Sequence, residues 1–317
     1  TLSADYVAAI HFGDGSDGNA TMDGATAGVN CILSGTTYFA TREGFYDNLT
    51  ISSGVRFRPD GYAQCVRTLL TNDGTISANG GNASGIVGGE GSLKITTARP
   101  LPVGVAGVAA GSPGTGTTNA PRGFVTGSAA GGVFRAFNDA GATRPGDNGG
   151  VGQGGGGGAG GNNFNIGAGN SGLNSGVIAV VLSGSAGDVR TKACALSARP
   201  VNAVAAYTMG SSGGAGNSGN PSGNGGASGG AGGWIVLRAF VVEGSGVIQA
   251  LGGNGADGTL GGGGGGGGSG GIIVFETAVS NQTPSVLGGT GGAAGPGGPG
   301  SPGAAGGNGG SGLYITF

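Results

Sequence analysis

The feature that most constrains the fold of this chain is a run of eight consecutive glycines, Gly261 to Gly268. Such a run buries no side chain, and each glycine loses more backbone entropy on ordering than alanine, at a cost of roughly 0.5–1 kcal/mol. It can become ordered only where neighbouring backbones satisfy each other's N–H and C=O groups. Glycine supplies 85 of the 317 residues, so this constraint covers much of the chain. We therefore predict that Gly261, Gly264 and Gly268 are structural glycines packed against backbone.

Composition argues that the glycine-rich part is folded rather than a flexible linker. Disordered segments are typically charged and poor in β-branched residues, whereas only 9% of this chain is charged. Short apolar runs of β-type residues also interrupt the glycines. They are residues 233–237, 272–275 and 313–317. This spacing predicts many short strands separated by glycine-rich excursions.

A loose repeat supports that alternation of strand and glycine. The stretch Gly74-Thr75-Ile76-Ser77-Ala78-Asn79-Gly80-Gly81-Asn82, a strand running into glycines, recurs as Gly246-Val247-Ile248-Gln249-Ala250-Leu251-Gly252-Gly253-Asn254. The reverse arrangement, glycines running into a strand, recurs at 131–137, 176–182, 232–237, 270–275 and 310–315. The period is irregular, so we expect insertions in the glycine excursions.

The predicted fold class is all-β, with no helix-period run of useful length. Residues 1–85 have near-normal composition and are predicted to form a short-strand β-solenoid or sandwich, a β-rich anchoring and assembly domain. Its expected strands are 6–12, 32–39, 46–52, 55–58 and 62–71. Residues 86–317 are predicted to be a glycine-rich repeat domain with exposed loops, built from glycine-rich strands and packed polyglycine-II-like helices. A collagen-like triple helix is the alternative, but the strict Gly-X-Y phasing that it needs is missing.

Catalytic chemistry is not indicated. His11 is the only histidine and lies in an apolar run, which favours a structural role over a catalytic triad. The acidic residues fall mostly in turn contexts such as Asp60-Gly61. Three widely spaced cysteines, Cys31, Cys65 and Cys194, form no metal or disulfide pattern and are expected to be buried free thiols. The sequence therefore predicts no enzyme, no catalytic residues and no cofactor.

Ion, nucleotide and membrane binding are also not indicated. Two turn-like runs, 13–19 and 252–258, place oxygen ligands at short spacing, but plain Asx turns explain them and we predict no metal site. A net charge of -2 provides no basic field for nucleic acid. No stretch approaches the roughly 18 apolar residues of a membrane span. The first residues lack the features of a signal peptide, which predicts synthesis in the cytoplasm.

Parts of the sequence resemble known virion proteins. The segments 46–54 and 68–82 resemble a β-solenoid-like unit of glycine-rich tailed-phage virion proteins, and tracts such as Gly261 to Gly268 are similar to the glycine-rich tip adhesins of T-even-like phage tail fibres. Those adhesins pack glycine helices in layers and present variable loops to the host receptor. The resemblance implies a structural protein on the outside of the virion that assembles with other phage structural proteins and binds a host cell-surface glycan or protein.

Three functions remain open from the sequence. The first is a tail fibre or adhesin, the second a head fibre or capsid decoration protein anchored by residues 1–85, and the third a polysaccharide-degrading tailspike. Tyr207 and Arg144, in predicted loops, are the receptor-binding candidates, while Trp234 and Tyr314 are expected in the core. A chain with so few large apolar side chains gains little by folding alone, and closed symmetry is the usual remedy. We therefore expect a homotrimer.

Overall fold

The computed structural model describes residues 11–92, 224–260, 262–296 and 305–316. Within these ranges the chain forms eleven strands, and only His11 and Phe12 have helical backbone. The strands are β1 (Gly18–Met22), β2 (Cys31–Ser34), β3 (Thr37–Ala40), β4 (Gly44–Ile51), β5 (Arg56–Arg58), β6 (Ala63–Asn72), β7 (Thr75–Ser77), β8 (Trp234–Glu243), β9 (Val247–Gln249), β10 (Ile272–Ser280) and β11 (Leu313–Thr316).

The larger sheet has six strands in the order β1-β4-β6-β8-β10-β11, and every neighbouring pair is parallel. Its central junction is between β6 and β8, where Val66 pairs with Ala239 and Leu70 with Val242. Strands that precede and follow residues 93–223 therefore lie side by side in one sheet.

The smaller sheet has the order β2-β3-β5-β7-β9 and is mixed. Strands β2 and β3 form an antiparallel pair across a turn at Gly35, whose φ of 59° is a left-handed conformation that glycine adopts without steric cost. The remaining pairs are parallel. In the last of them Ile76 lies opposite Ile248, so the two copies of the sequence repeat stack residue for residue.

One hydrophobic cluster fills the space between the sheets. Alternate residues point inward, as the period of two in a strand requires. The smaller sheet contributes Tyr38, Phe57, Ile76 and Ile248, all fully or almost fully buried. The larger sheet contributes most of the other large side chains, among them Met22, Tyr46, Leu49, Ile51, Val66, Leu70, Ile235, Leu237, Ile273 and Phe275. This part of the molecule is held together by side chains.

The strands continue into a second region, here called the glycine block, which comprises residues 78–92, 224–233, 250–260, 262–271, 286–296 and 305–312. Its segments at 78–83 and 250–260 follow β7 and β9 out of the smaller sheet. Its segments at 224–233, 262–271 and 305–312 run into β8, β10 and β11 of the larger sheet. The block is therefore a direct extension of both sheets.

Backbone hydrogen bonds at intervals of three residues connect the segments of the glycine block. From the central segment 262–271, the amides of residues 265, 268 and 271 donate to the carbonyls of residues 256, 253 and 250. Carbonyls of the same segment, at 263, 266 and 269, accept from the amides of residues 226, 229 and 232. Three residues per turn is the repeat of an extended threefold backbone. Successive residues therefore form hydrogen bonds to different neighbouring segments. The central segment contacts four others in this way.

The predicted fold class is wrong in its architecture. Residues 1–85 were expected to form their own short-strand β-solenoid or sandwich, followed by separate glycine-rich strands and polyglycine-II-like helices. Instead, a parallel six-stranded sheet and a mixed five-stranded sheet both combine strands from either side of residues 93–223. Alternating apolar residues show which side chains are buried, but parallel partners can be far apart in sequence. The repeat copies that pair here are 172 residues apart.

The strand predicted over 6–12 also differs from the structure where residues are described, since His11 and Phe12 are helical. Short apolar runs are ambiguous between strand and helix. The predicted strand 32–39 is divided by the turn at Gly35. In the described part of the chain, no helix combines the length and apolar character that crossing a bilayer requires. The functional division at residue 85 into an anchoring and an exposed domain stays a prediction.

Candidate functional site

A polar groove of about 830 Å³ lies where the smaller sheet meets the glycine block. Its lining includes Arg56 and Arg58 of β5. The remaining lining combines glycine backbone, three asparagines, one glutamate and two leucines. These residues are Asn79, Gly80, Gly81, Asn82, Glu90, Gly91, Leu251, Gly252, Asn254, Leu287 and Gly288. The groove thus offers cations, amides, peptide groups and some apolar surface within one concave site.

Side chains along β5 point alternately to the two faces of the sheet, which places the two arginines on the same face. Phe57 is fully buried in the core between the sheets, so its neighbours Arg56 and Arg58 point to the opposite face. Both arginines are half-buried. In a chain with few charges, two guanidinium groups on one face of a three-residue strand form a local concentration of positive charge.

Arg58 has two neighbours that fix its position. Its guanidinium carbon lies 5.3 Å from the centre of the Phe39 ring, a cation–π contact with the adjacent strand. Its Nε lies 3.4 Å from Oδ1 of Asp60, a charge contact without a hydrogen bond to Nε. Burial raises the pKa of Asp60 to about 6, since the attraction of Arg58 offsets only part of the lost hydration. Arg58 is thereby held beside a buried acid of opposite charge.

Arg56 is held by a hydrogen bond from Nε to Oγ of Ser77 on the neighbouring strand β7, at 2.6 Å. This bond occupies Nε and leaves the two terminal nitrogens for other acceptors. Burial, and secondarily the nearby charge of Arg58, lower the pKa of Arg56 below the usual arginine value. The two arginines therefore repel each other, and a bound anion would relieve that repulsion.

The asparagines of the groove connect its wall to the glycine block. Oδ1 of Asn79 accepts a hydrogen bond from the amide of Leu251, and Oδ1 of Asn82 accepts one from the amide of Asn254. Asn254 repeats the arrangement by accepting from the amide of Thr290 at 2.9 Å. Each Oδ1 thus accepts a hydrogen bond from a backbone N–H group of the next segment. The side-chain NH₂ group remains available as a donor. The groove has a fixed polar wall.

The predicted receptor-binding residues Tyr207 and Arg144 lie outside the described residues, as does Gly261. Gly264 and Gly268 lie in the central segment of the glycine block. A Cβ at Gly264 would overlap the carbonyl oxygen of Gly292, and one at Gly268 would overlap that of Gly230. Neighbouring backbone therefore occupies the space that a side chain would need at both positions.

Three aromatic rings of a kind that can stack on sugars are largely enclosed by the protein. Trp234 and Tyr62 are buried, and Tyr314 is half-buried against the core cluster. None of the three is among the described residues that line the groove. The ring of Phe39 lies beneath the guanidinium of Arg58 and adjoins the site through this cation–π contact.

His11 contacts a buried acidic side chain, and the described cysteines are buried or half-buried. Nδ1 of His11 lies 3.1 Å from Oε1 of the buried Glu276. Cys65 is buried and Cys31 half-buried, and both are free thiols. Burial raises the pKa of each thiol to about 11, which keeps it protonated and a poor nucleophile near neutral pH. Cys194 lies outside the described residues.

The two runs considered for calcium use their oxygens within the protein. Asp14 accepts from the amide of Ser16 as an Asx turn, and Asp17 accepts from the amide of Phe45 and pairs with Arg42. In the second run, Asp257 accepts from the amide of Ala293. Across the residues that the structure describes, no group of three or more His, Cys, Asp or Glu side chains is arranged to hold a metal ion.

Sequence reasoning missed Arg56 and Arg58. The available signal was the string Val55-Arg56-Phe57-Arg58, in which two cations alternate with an apolar residue in a predicted strand. In a chain with only 13 lysines and arginines, this spacing places two of them on one face of a strand. The groove itself could not be inferred, because part of its lining comes from residues after 250, which are distant in sequence from the arginines.

Comparisons of the chain with protein-family models, with curated proteins and with solved structures gave no match.

Proposed function

We propose that this chain is a structural protein on the outside of a tailed-phage particle, acting as a tail fibre or adhesin that binds the host surface without catalysing a reaction. The observation that supports it best is the glycine block, in which the central segment is buried almost entirely by other backbones. A region built this way offers few side chains for chemistry. It provides a stiff support on which polar binding sites are presented.

The position of the groove supports a binding role. It lies at the junction of the smaller sheet and the glycine block, so both regions fix its walls. A rigid site loses little entropy when it binds a ligand. Multiple copies of such a site on one particle would strengthen adhesion through multivalency. The homotrimer expected from the sequence would supply three copies, and light scattering of the purified chain would measure that mass.

The proposal is tested by competition for adsorption. Purified chain should inhibit adsorption of the phage that encodes it, and antibodies against the chain should label the exterior of intact particles. Heat-denatured chain serves as the control and should not compete. Absence of both labelling and competition would contradict the proposal. Release of reducing ends from host polysaccharide by the purified chain would instead show that it is an enzyme.

A further inference from the structure

We propose that the groove binds an acidic polysaccharide, with a sugar carboxylate held between Arg56 and Arg58. This inference rests on the proposed surface-binding function and specifies the ligand. The lining combines charge, hydrogen-bonding groups and apolar surface.

The charge of the described lining favours an anion. It contains two arginines and one acid, Glu90. The buried carboxyl of Asp60 pairs with Arg58 without lining the groove, so Arg56 is the arginine that has no acidic neighbour among the contacts described. Arg56 bonds through Nε to the neutral Ser77. A planar guanidinium donates two parallel hydrogen bonds to a carboxylate, which is the strongest pairing available to it.

The remaining lining suits sugar rings. Asn79, Asn82 and Asn254 use their Oδ1 atoms inside the protein and keep NH₂ donors for hydroxyl groups. Leu251 and Leu287 supply apolar surface, and Leu287 is 62% exposed. Pyranose rings combine hydroxyl edges with C–H faces, so they match donors and apolar patches together. An acidic peptide would satisfy the arginines but would have fewer hydroxyl groups for the amides.

The groove also has the dimensions for several sugars. Its volume of about 830 Å³ falls within the range of roughly 300–1,000 Å³ seen for ligand sites. The repeat that brings Asn82 beside Asn254 extends the wall along the glycine block. A chain of sugars would therefore run from the arginines along the asparagines.

The test is binding of the full chain to three soluble probes, measured by calorimetry. They are oligogalacturonate, which carries sugar carboxylates, dextran oligosaccharide, which is uncharged, and oligoglutamate, which carries carboxylates without sugars. We expect oligogalacturonate to bind most tightly and its affinity to fall as salt increases. Equal binding of dextran, equal or tighter binding of oligoglutamate, or no binding of oligogalacturonate would each overturn the proposal.

Variants locate the binding to the groove. Arg56→Gln should weaken oligogalacturonate binding about 10- to 100-fold, the usual effect of losing a charged hydrogen-bonded pair. Arg56→Lys keeps the charge and should retain part of the affinity. The matched control is Arg67→Gln, which removes an arginine paired with Asp47 in the other sheet and should leave binding unchanged. Unchanged melting temperatures will show that the variants remain folded, and an Arg56→Gln affinity equal to wild type would overturn the proposal.

The same variant separates this inference from the proposed function. If Arg56→Gln chain still competes for phage adsorption as well as wild type, the surface-binding function holds and the groove is not its site. If wild-type chain does not compete at all, the proposed function fails whether or not oligogalacturonate binds.

Discussion

Between the two sheets, Phe57 and Leu70 are completely buried by other side chains, whereas in the glycine block Gly268 is buried by backbone. The first region excludes water with apolar volume, and each large side chain that it buries contributes about 1.5–3 kcal/mol. The second has almost no such volume. It must offset the extra entropy cost of ordering glycine with closely spaced backbone hydrogen bonds, each contributing about 0.5–1.5 kcal/mol net.

This difference predicts opposite sensitivities to substitution. A side-chain core is damaged mainly when atoms are removed, because a cavity remains. The glycine block should be damaged when atoms are added, because a Cβ would meet a carbonyl oxygen of a neighbouring segment at most of its buried glycines. Separating two segments to make room would also lengthen the hydrogen bonds that recur along both. A single methyl group could therefore disturb several contacts at once.

Gly264→Val in the central segment should reduce stability more than any other substitution considered below. Its side chain would overlap the carbonyl of Gly292, and we expect a loss of about 5 kcal/mol, above the usual overpacking cost of about 1–3 kcal/mol because the clash is with backbone. Thermal and urea unfolding measure the effect. Gly35→Ala is the control, because its Cβ would meet nothing within 4 Å and only its φ of 59° opposes the change, at a cost of about 1 kcal/mol. An unchanged melting temperature for Gly264→Val would show that the tract is not packed.

The converse experiment is Phe57→Ala between the sheets. Phe57 is fully buried, and its truncation should cost about 3–5 kcal/mol through lost burial and the cavity left behind. Urea unfolding gives the difference in free energy. Ile32→Ala is the matched truncation of a side chain that is 62% exposed and should change stability by less than about 0.5 kcal/mol. Similar losses for both variants would mean that this core is not the main source of stability in the sheets.

The sequence identified the local pieces of this fold more reliably than their partners. Alternation located β4, β5 and β6, because a half-buried strand leaves a period of two in its side chains. The repeat at 74–82 and 246–254 identified segments that do stack. Pairing of β6 with β8 left no local signal, since both strands are buried at several successive positions and parallel partners are set by the whole chain. The architecture was therefore wrong although several strands were placed correctly.

The groove shows the same limit for function. Arg56 and Arg58 could be assigned to one face from their spacing alone. Their approach to Asn79, Asn82 and Asn254 depends on the stacking of distant segments, which the sequence did not specify. The assignment of Tyr207 and Arg144 to receptor binding depends on their predicted loops and stays a prediction.

Side chains at the edge of the glycine block should contribute least to stability. Oδ1 of Asn82 accepts from the amide of Asn254 at 2.8 Å, across 172 residues of sequence. Asn82→Ala removes this acceptor and should cost about 1 kcal/mol, because the site is exposed and water replaces part of the bond. Asn82→Asp keeps an oxygen in the same place and should cost little. Urea unfolding compares the two, and hydrogen exchange at the Asn254 amide should accelerate only in Asn82→Ala. If that amide exchanges equally fast in wild type and both variants, the edge of the block is not held by side chains, and backbone contacts alone align its segments.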